Sequence, residues 1–437
     1  MNHPATDLRE RLQELHLQFV LVSFTDLFGI QRAKLVPAAA MAAMATGGAG
    51  FAGFAAWLDL SPADGDVLAV PDPASLTALP WQGGVGWMAA ELTLNGAAMA
   101  QCPRRLLRLQ QQRAAALGFE LRSGVEAEFF LLSPDGATIA DGADHQEKPC
   151  YDQLALMRQF TLIGPLLTAM EQLGWGPYQA DHEDANGQFE INWTFADALT
   201  TADRHAFFKV MVKAMAEQQG LRASFMAKPF AALTGNGCHT HLSLWGAPGR
   251  NLFHDPAGEL GLSALAYRFL GGLIAHAPAL CAITNPTVNS YRRLAAPPTS
   301  SGATWSPGGI SYTGNNRTHM VRIPDDQRLE LRLPDGSAHP YLLQAAILAA
   351  GLDGIERQLD PGPRRDNDNY ANPLAADQCR RLPADLGEAL DAFAADTTLR
   401  QALGEEFCQA YERLRRRQWQ RERGDISDAE RRACLDC

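Results

Sequence analysis

No HExxH motif, Walker A loop or kinase HRD and DFG set occurs in this 437-residue chain, and its one CxxC, Cys434 and Cys437, has no second pair to complete a zinc ribbon. Zinc ribbons, zincin proteases, P-loop phosphotransferases and protein kinases are thereby set aside. The other six of the eight cysteines are scattered singly, which predicts reduced thiols and a cytoplasmic setting rather than a disulfide framework. No signal-peptide pattern is visible. The longest apolar run, "YLLQAAILAAGL" from Tyr341, is too short to cross a bilayer, so no membrane partner is expected. Positive charge is in deficit: the formal net charge is -11, which disfavours the basic surface of a nucleic-acid binder. Repeats and low-complexity segments are absent. What remains is an ordinary globular composition with length for two or three domains.

The pattern predicts an α+β protein, a sheet with helices on one side. Residues 7–16 read as a helix, and "LQFVLVSFTDLFGIQRAKLVP" as two strands about a turn at Asp26–Gly29. A helix over Cys102–Gly118, with Pro103 near its first turn, opens a second domain, dividing the chain into 1–101 and 102–437. Further strands are expected at Val125–Leu132, Phe189–Trp193, Cys238–Leu244 and Leu329–Leu333. Helices are expected at Gln153–Leu173, Thr201–Gln219, Ser263–His276, His339–Gln358 and Leu386–Arg423, with a last one capped at "SDAE" from Ser427. Gly48, Gly50 and Gly53 match GxGxxG, but a helical run precedes them where a dinucleotide fold needs a strand.

Four strands carry unusual polar faces. In "GVEAEFFLL", Glu126, Glu128 and Phe130 alternate with Val125, Ala127 and Phe129. "FEINW" pairs Glu190 with Asn192, "CHTHLSL" aligns His239, His241 and Ser243, and "LELRL" pairs Glu330 with Arg332. A single such strand is most simply a solvated face. Four of them without a lysine point to one concave site, with Glu183 nearby, if the strands share a sheet. Crowded carboxylates repel unless cations sit between them. Oxygen-rich ligands with one or two histidines suit Mg²⁺ or Mn²⁺ better than zinc. Arg293, Arg317, Arg322, Arg328 and Arg332 add guanidinium forks suited to phosphates and carboxylates. Together these suggest nucleotide-dependent phosphoryl transfer.

The segments "VEAEFF", "HEDANGQFE", "GCHTHLSL", "NSYRRL", "NNRTHMVRIP", "LELRLPDGSAHPYL" and "ISDAERRACL" resemble, in order, the glutamine synthetase family. The glycine-containing "PPTSSGATWSPGG" resembles its γ-glutamylmethylamide synthetase, or type III, subgroup. The resemblance implies an N-terminal β-grasp domain, a larger catalytic α/β domain with an antiparallel sheet, and a dodecamer of two hexamer rings with shared sites. It implies ATP as co-substrate and two or three Mg²⁺ or Mn²⁺ ions per site. Glu128, Glu183 and Glu190 match the ligands of one ion, and Glu126, His239 and Glu330 those of another. Arg293, Arg332 and Gly235 match glutamate contacts, with Arg293, Arg332 and Glu330 nearest the chemistry. His241, Ser243, Arg317, Arg322 and Arg328 match the ATP site.

Departures from the family pattern bear on the amine. Leu294–Pro324 contains no Asp or Glu, where ammonia-using members carry an acidic flap residue. Ala52 stands where they carry an ammonium-binding Asp. Loss of both charges predicts a less polar pocket for an alkylamine such as methylamine, walled by Ala52, Thr299, Trp305 and Tyr312. Asp59, Asp64 and Asp66 lie in a plausible region for a base. Asp325 replaces a lysine, and Tyr370 sits where some members are adenylylated, though an ordinary loop tyrosine is the simpler expectation. Alternatives are ammonia, a polyamine or ethylamine as substrate, or a non-catalytic sensor.

Overall fold

The computed structural model describes residues 4–375 and 377–435; Cys437 lies outside them. After a helix at Pro4–Glu14 come seven strands: β1 (Phe19–Thr25), β2 (Gln31–Pro37), β3 (Ala49–Phe51), β4 (Val67–Pro71), β5 (Thr77–Ala78), β6 (Val85–Leu94) and β7 (Ala97–Ala98). They form one sheet in the order β2-β1-β6-β4-β3, with β5 and β7 also on β6. β1 runs parallel to β6 and antiparallel to β2. The β1–β2 turn is built by Asp26, whose carboxylate accepts from Phe28 N, Ile30 N and Arg32 Nε. A core of its own, from Leu8 to Cys102, fills this sheet. Leu27, Leu79, Trp87 and Ala89 instead join the main core. Gly48 ends the helix Met41–Gly47 and leads into β3, the reverse of a dinucleotide-binding turn.

Beyond the helix Pro103–Ala116 lie β8 (Glu120–Ala127), β9 (Phe129–Leu132), β10 (Pro177–His182), β11 (Gln188–Trp193), β12 (Ala196–Asp197), β13 (Arg222–Ser224), β14 (Cys238–Gly246), β15 (Arg250–Asn251), β16 (Tyr312–Thr313), β17 (Val321–Asp325) and β18 (Arg328–Leu331). They make two sheets, β10-β11-β9-β13 and β12-β8-β14-β18-β17-β16, with β15 on β14. Pairing is antiparallel except between β16 and β17.

Two expectations need correction here. The segment Val125–Leu132 is not one strand: it breaks at Glu128, and its halves enter different sheets. The four polar strands therefore do not share a sheet. The reason is burial. Leu121, Val125 and Ala127 face the core while Arg122, Gly124 and Glu126 alternate outward, but all of Phe129–Leu132 is buried, so β9 must be covered on both faces.

Helices follow the apolar periodicity, with breaks that the sequence reading ran through. Gln159 separates Gln153–Arg158 from Phe160–Gln172. The segment 386–424 is three helices, Leu386–Ala395, Thr397–Leu403 and Glu405–Gly424. Asp396 caps the second through Leu399 N, and Gly404 turns into the third with φ +90°. Ser427 caps the last helix through Glu430 N.

The helix Ala264–Thr284 was underread from sequence: it is long and apolar enough to cross a membrane by length and composition. It is a core helix instead, lying against Pro340–Glu356. A Cβ at Gly272 would come 2.0 Å from Ala350 O, and one at Gly354 2.2 Å from Arg268 O. Only glycine allows the two backbones this close.

Candidate active site

β8, β14 and β18 lie side by side with known register. His239 is opposite Glu126, and His241 is opposite Glu330 on one side and Gly124 on the other. Arg322 on β17 is opposite Glu330. Antiparallel pairing thus lines up on one face the acids and histidines that alternation had already placed together within each strand. The other sheet supplies Glu190 from β11 and Glu183 just after β10. Asp144 holds the Glu183 loop: its carboxylate takes His182 Nε2 at 2.6 Å, Asn186 Nδ2 at 2.8 Å and Gly187 N at 2.6 Å. Glu128, at the junction of the two sheets, completes the ring.

Glu126, Glu128, Glu183, Glu190, His239, Glu330, Arg317, Arg322 and Arg332 all line one cavity of about 550 Å³. A second cavity, about 490 Å³, shares Glu126 and is lined by His241, Ser243 and Arg328. Arg122, stacked 4.3 Å over Trp245, and Tyr178 and Phe195 give it aromatic walls. Arg293 is buried beneath the first cavity and donates to Leu333 O at 3.2 Å. Gly235 lies alongside, its carbonyl accepting from Gln188 Nε2 at 3.2 Å.

The polar contacts assign protons. Arg328 Nε donates to His241 Nδ1 at 3.0 Å, so His241 carries its proton on Nε2 and donates to Glu126 Oε1 at 2.8 Å. Glu330 accepts from Arg322 at 2.7 Å and Arg332 at 2.5 Å. Glu128 Oε2 accepts from Gly237 N at 2.7 Å and Gln188 Nε2 at 2.9 Å. Glu190 accepts from Asn192 at 2.8 Å. Burial opposes ionisation everywhere, but the outcomes diverge. At Glu126 it is outweighed by the two histidines, which hold the carboxyl well below its ordinary range. At Glu330, burial is overcome by Arg332 and His239, bringing the group to about 2. Glu128 is pushed up to about 7, chiefly by burial. Glu183 and Glu190 are raised well above normal by burial and then by their acidic neighbours. Burial, with Arg332, lowers His239 to about 4.

Not every expected residue arrives. Tyr312 lines neither cavity; its hydroxyl donates to Gly362 O at 3.0 Å and its ring packs on Tyr267. Ala52 is exposed on the N-terminal part and lines neither. Asp59 is paired with Arg413 at 2.7 Å and Asp64 accepts from Ser61 N, so neither faces the cavities. Asp325 pairs with Arg328 at 2.5 Å. Trp305 does line the first cavity, and Thr299 reaches its edge through Thr234 at 3.2 Å. Tyr370 is half-buried, its hydroxyl 3.5 Å from Arg317 O, and burial pushes it up to about 12. Gln188, Asp181, Asp184 and Gly237 were missed. Alternation back from Glu190 would have found Gln188, and Asp181 pairs directly with Glu190.

The glutamine synthetase catalytic-domain pattern matches residues 100–434. The chain belongs to the glutamine synthetase family. It is 54% identical over 431 residues to a glutamine synthetase of Rhizobium leguminosarum bv. phaseoli, covering 98% of this chain and 99% of that protein. It is 42% identical over 443 residues to a glutamate–methylamine ligase of Methyloversatilis universalis, covering 99% of each. Among solved structures, a GmaS/ADP complex matches with a TM-score of 0.95 and 60% identity over 99% of this chain and 100% of the other. GmaS without ligand gives 0.94 and 58% over the same shares.

The residues present suit the divalent cations that this family implies. Glu126, His241 and Glu330 offer ligand atoms within 4.8 Å of one another. His239 is the better nitrogen donor, because His241 has both ring nitrogens engaged whereas His239 Nε2 is buried with no partner among the described residues. His239 Nδ1 lies 3.3 Å from Glu126, 3.8 Å from Glu128 and 4.0 Å from Glu330. A Cβ at Gly237 would sit 2.8 Å from both His239 Nε2 and Glu128 Oε1, so glycine keeps that space open. Cys150 lines the cavity, but burial with Glu183 and Asp184 pushes its thiol up to about 12. The carboxylates outnumber it, which leaves an oxygen-rich set suited to a hard divalent cation.

Proposed function

We propose that this protein is an ATP-dependent ligase that joins L-glutamate to a small amine through γ-glutamyl phosphate, with methylamine the favoured amine. The observation that carries the reading is the convergence of Glu126, Glu128, Glu183, Glu190, His239 and Glu330 with Arg317, Arg322 and Arg332 around one cavity. In this reading Glu128, Glu183 and Glu190 hold one cation, and Glu126, His239 and Glu330 another. Bound there, the cations would neutralise nucleotide phosphates and the transferring phosphoryl group. His241, Ser243 and Arg328 face the nucleotide, whose base takes the aromatic second cavity. Arg322 and Arg317 steady phosphate oxygens, as preorganised donors aimed at developing charge. Arg332, Arg293 and the backbone at Gly235 orient glutamate. The amine then attacks the acyl carbon, the C–N bond forms, phosphate leaves, and the ammonium proton passes to a base.

The alkylamine preference rests on the acid-free segment 294–324, on Ala52 in place of an acid, and on the likeness to GmaS and the glutamate–methylamine ligase. The name glutamine synthetase on relatives 54% and 52% identical supports ammonia as the second reading. We further propose a boundary near residue 101, an N-terminal β-grasp domain, and a cytoplasmic dodecamer in which Ala52 faces a neighbouring subunit's site. Phosphate and amide formation with ATP, Mg²⁺ and glutamate, compared for ammonia, methylamine, ethylamine and a diamine, tests the function. Methylamine should give the highest kcat/KM. Preference for ammonia moves the reading to glutamine synthesis, and turnover with no amine overturns it.

A further inference from the structure

The segment from Pro297 to Trp305 crosses the edge of the active-site cavity with no carboxylate of its own. It is rich in hydroxyls instead, and one buried acid of the body collects them. Asp184 Oδ2 accepts from Ser301 Oγ and from Thr234 Oγ1, each at 2.6 Å. Thr299 Oγ1 packs among Thr234 Oγ1 at 3.2 Å, Ser301 Oγ at 3.0 Å and Ala303 O at 3.1 Å, with one proton to share among them. A tight turn closed by Gly302 N to Thr299 O, with Gly302 at φ +92°, presents these hydroxyls together. Among the described residues, no other hydrogen bond ties 297–305 to a distant part of the chain. Two residues beyond Ala303, Trp305 adopts a left-handed φ of +55°, and its buried Nε1 has no partner among the described residues. Its ring borders both the main cavity and a third of about 390 Å³ that reaches Tyr370.

We propose that Asp184 is a positioning residue that latches this hydroxyl-rich segment over the site, and that the latch sets Trp305 as the wall between the acyl phosphate and the amine's approach. Two charge-assisted hydrogen bonds on one buried oxygen make the latch stiff. Because its donors are neutral hydroxyls, closure puts no further negative charge beside the amine. That arrangement suits an alkylammonium, which brings apolar surface as well as charge. The inference rests on the ligase reading given above, but the latch has a readout of its own.

Ser301 touches none of the groups proposed to hold glutamate, ATP or cations, so Ser301→Ala is the primary probe, with Ser301→Thr restoring the hydroxyl and Asp184→Asn weakening the acceptor. Amide hydrogen exchange of the full-length protein should quicken at least tenfold across 299–305 in S301A, stay near wild type in S301T, and be unchanged elsewhere. In turnover with methylamine, S301A should raise the KM for the amine several-fold, leave the KM values for ATP and glutamate unchanged, and release more than one phosphate per amide, as water takes the acyl phosphate and regenerates glutamate. S301T should return the ratio to about one. Unchanged exchange in both S301A and D184N removes the latch. Faster exchange with an unaltered phosphate-to-amide ratio removes its positioning role. If wild type turns over no amine at all, the ligase reading fails while the exchange result still stands.

Discussion

Glu128→Gln separates the two demands on the carboxylate ring, because it removes a charge while nearly keeping the shape. Burial is the main reason Glu128 titrates near 7 rather than its ordinary 4.5, with Glu126 adding to it and Arg293 and Gly237 opposing. At ~1.36 kcal/mol per pKa unit, holding this group ionised in the metal-free protein costs about 3 kcal/mol. Geometry supports the scale of the charge contribution. One oxygen of Glu126 and one of Glu128 lie 3.3 and 3.8 Å from the same His239 nitrogen. They are then at most about 7 Å apart, which at an effective dielectric of 20 is roughly 2 kcal/mol of repulsion.

The sign follows from linkage. A carboxylate whose folded pKa is raised contributes stability fully below about 4.5, and that contribution is lost as pH rises through about 7. With EDTA present and protein concentration fixed, wild type should lose melting temperature between pH 4.5 and 7.5 more steeply than E128Q, and the two should run parallel above that. By pH 8.5 the variant should be at least as stable. Saturating magnesium reverses the order: wild type should gain ~2.7 kcal/mol when the free ion is at 100 times its Kd, and the variant much less. Amide synthesis by E128Q should fall at least about 100-fold. The reasoning is refuted if E128Q is equally destabilised at pH 4.5 and 7.5 in EDTA, or if magnesium stabilises it as much as wild type.

Gly237→Ala should fold but bind Mn²⁺ about 10–100-fold more weakly by titration calorimetry, since its Cβ would enter the space beside His239 Nε2. Asp26→Ala removes the acceptor for Phe28 N, Ile30 N and Arg32; it should cost about 2–3 kcal/mol in urea unfolding, with little effect on KM. His276 is lowered by burial but raised overall by hydrogen bonds to Asp396 at 2.5 Å and Asp353 at 2.9 Å. Its stabilisation is therefore complete below about pH 6.5 and lost as pH rises through the higher folded value. His276→Gln should flatten the melting curve above neutrality, and an unchanged pH profile would count against the pair.

Local chemistry was legible in the sequence. Capping and turn residues marked Asp26, Pro103 and Ser427, and alternation placed Glu126, His239, His241 and Glu330 on matching faces. Register brought these together because each strand's other face was apolar enough to fix it. The breaks were not legible. Asp396 and Gly404 interrupt a run whose apolar periodicity continues across them, and Gln159 carries no breaker signal at all. Tyr312 was misjudged because its side chain follows β16 toward Tyr267, a direction set by a parallel pairing with β17 that no local pattern announces. Gln188 and Asp184 were passed over because uncharged or adjacent residues draw less notice than the acids they support.

The break at Glu128 explains how so many acids can meet. On one flat sheet, Glu126 and Glu128 would stand side by side, and Glu190 could join them only as a third strand's neighbour, leaving each carboxylate a path to water. Splitting the strand sends Ala127 into one sheet and Phe129 into another, so the face bearing Glu126, His239 and Glu330 can look toward the one bearing Glu190. Glu128 then sits where the sheets diverge, its carboxylate tied to Gly237 N and Gln188 rather than to solvent. Water is replaced by carboxylates approaching from two directions, an arrangement that destabilises the bare protein and becomes favourable once positive charge fills the gap. The four consecutive buried residues of β9, which look like mere core in the sequence, are what enforce the divergence.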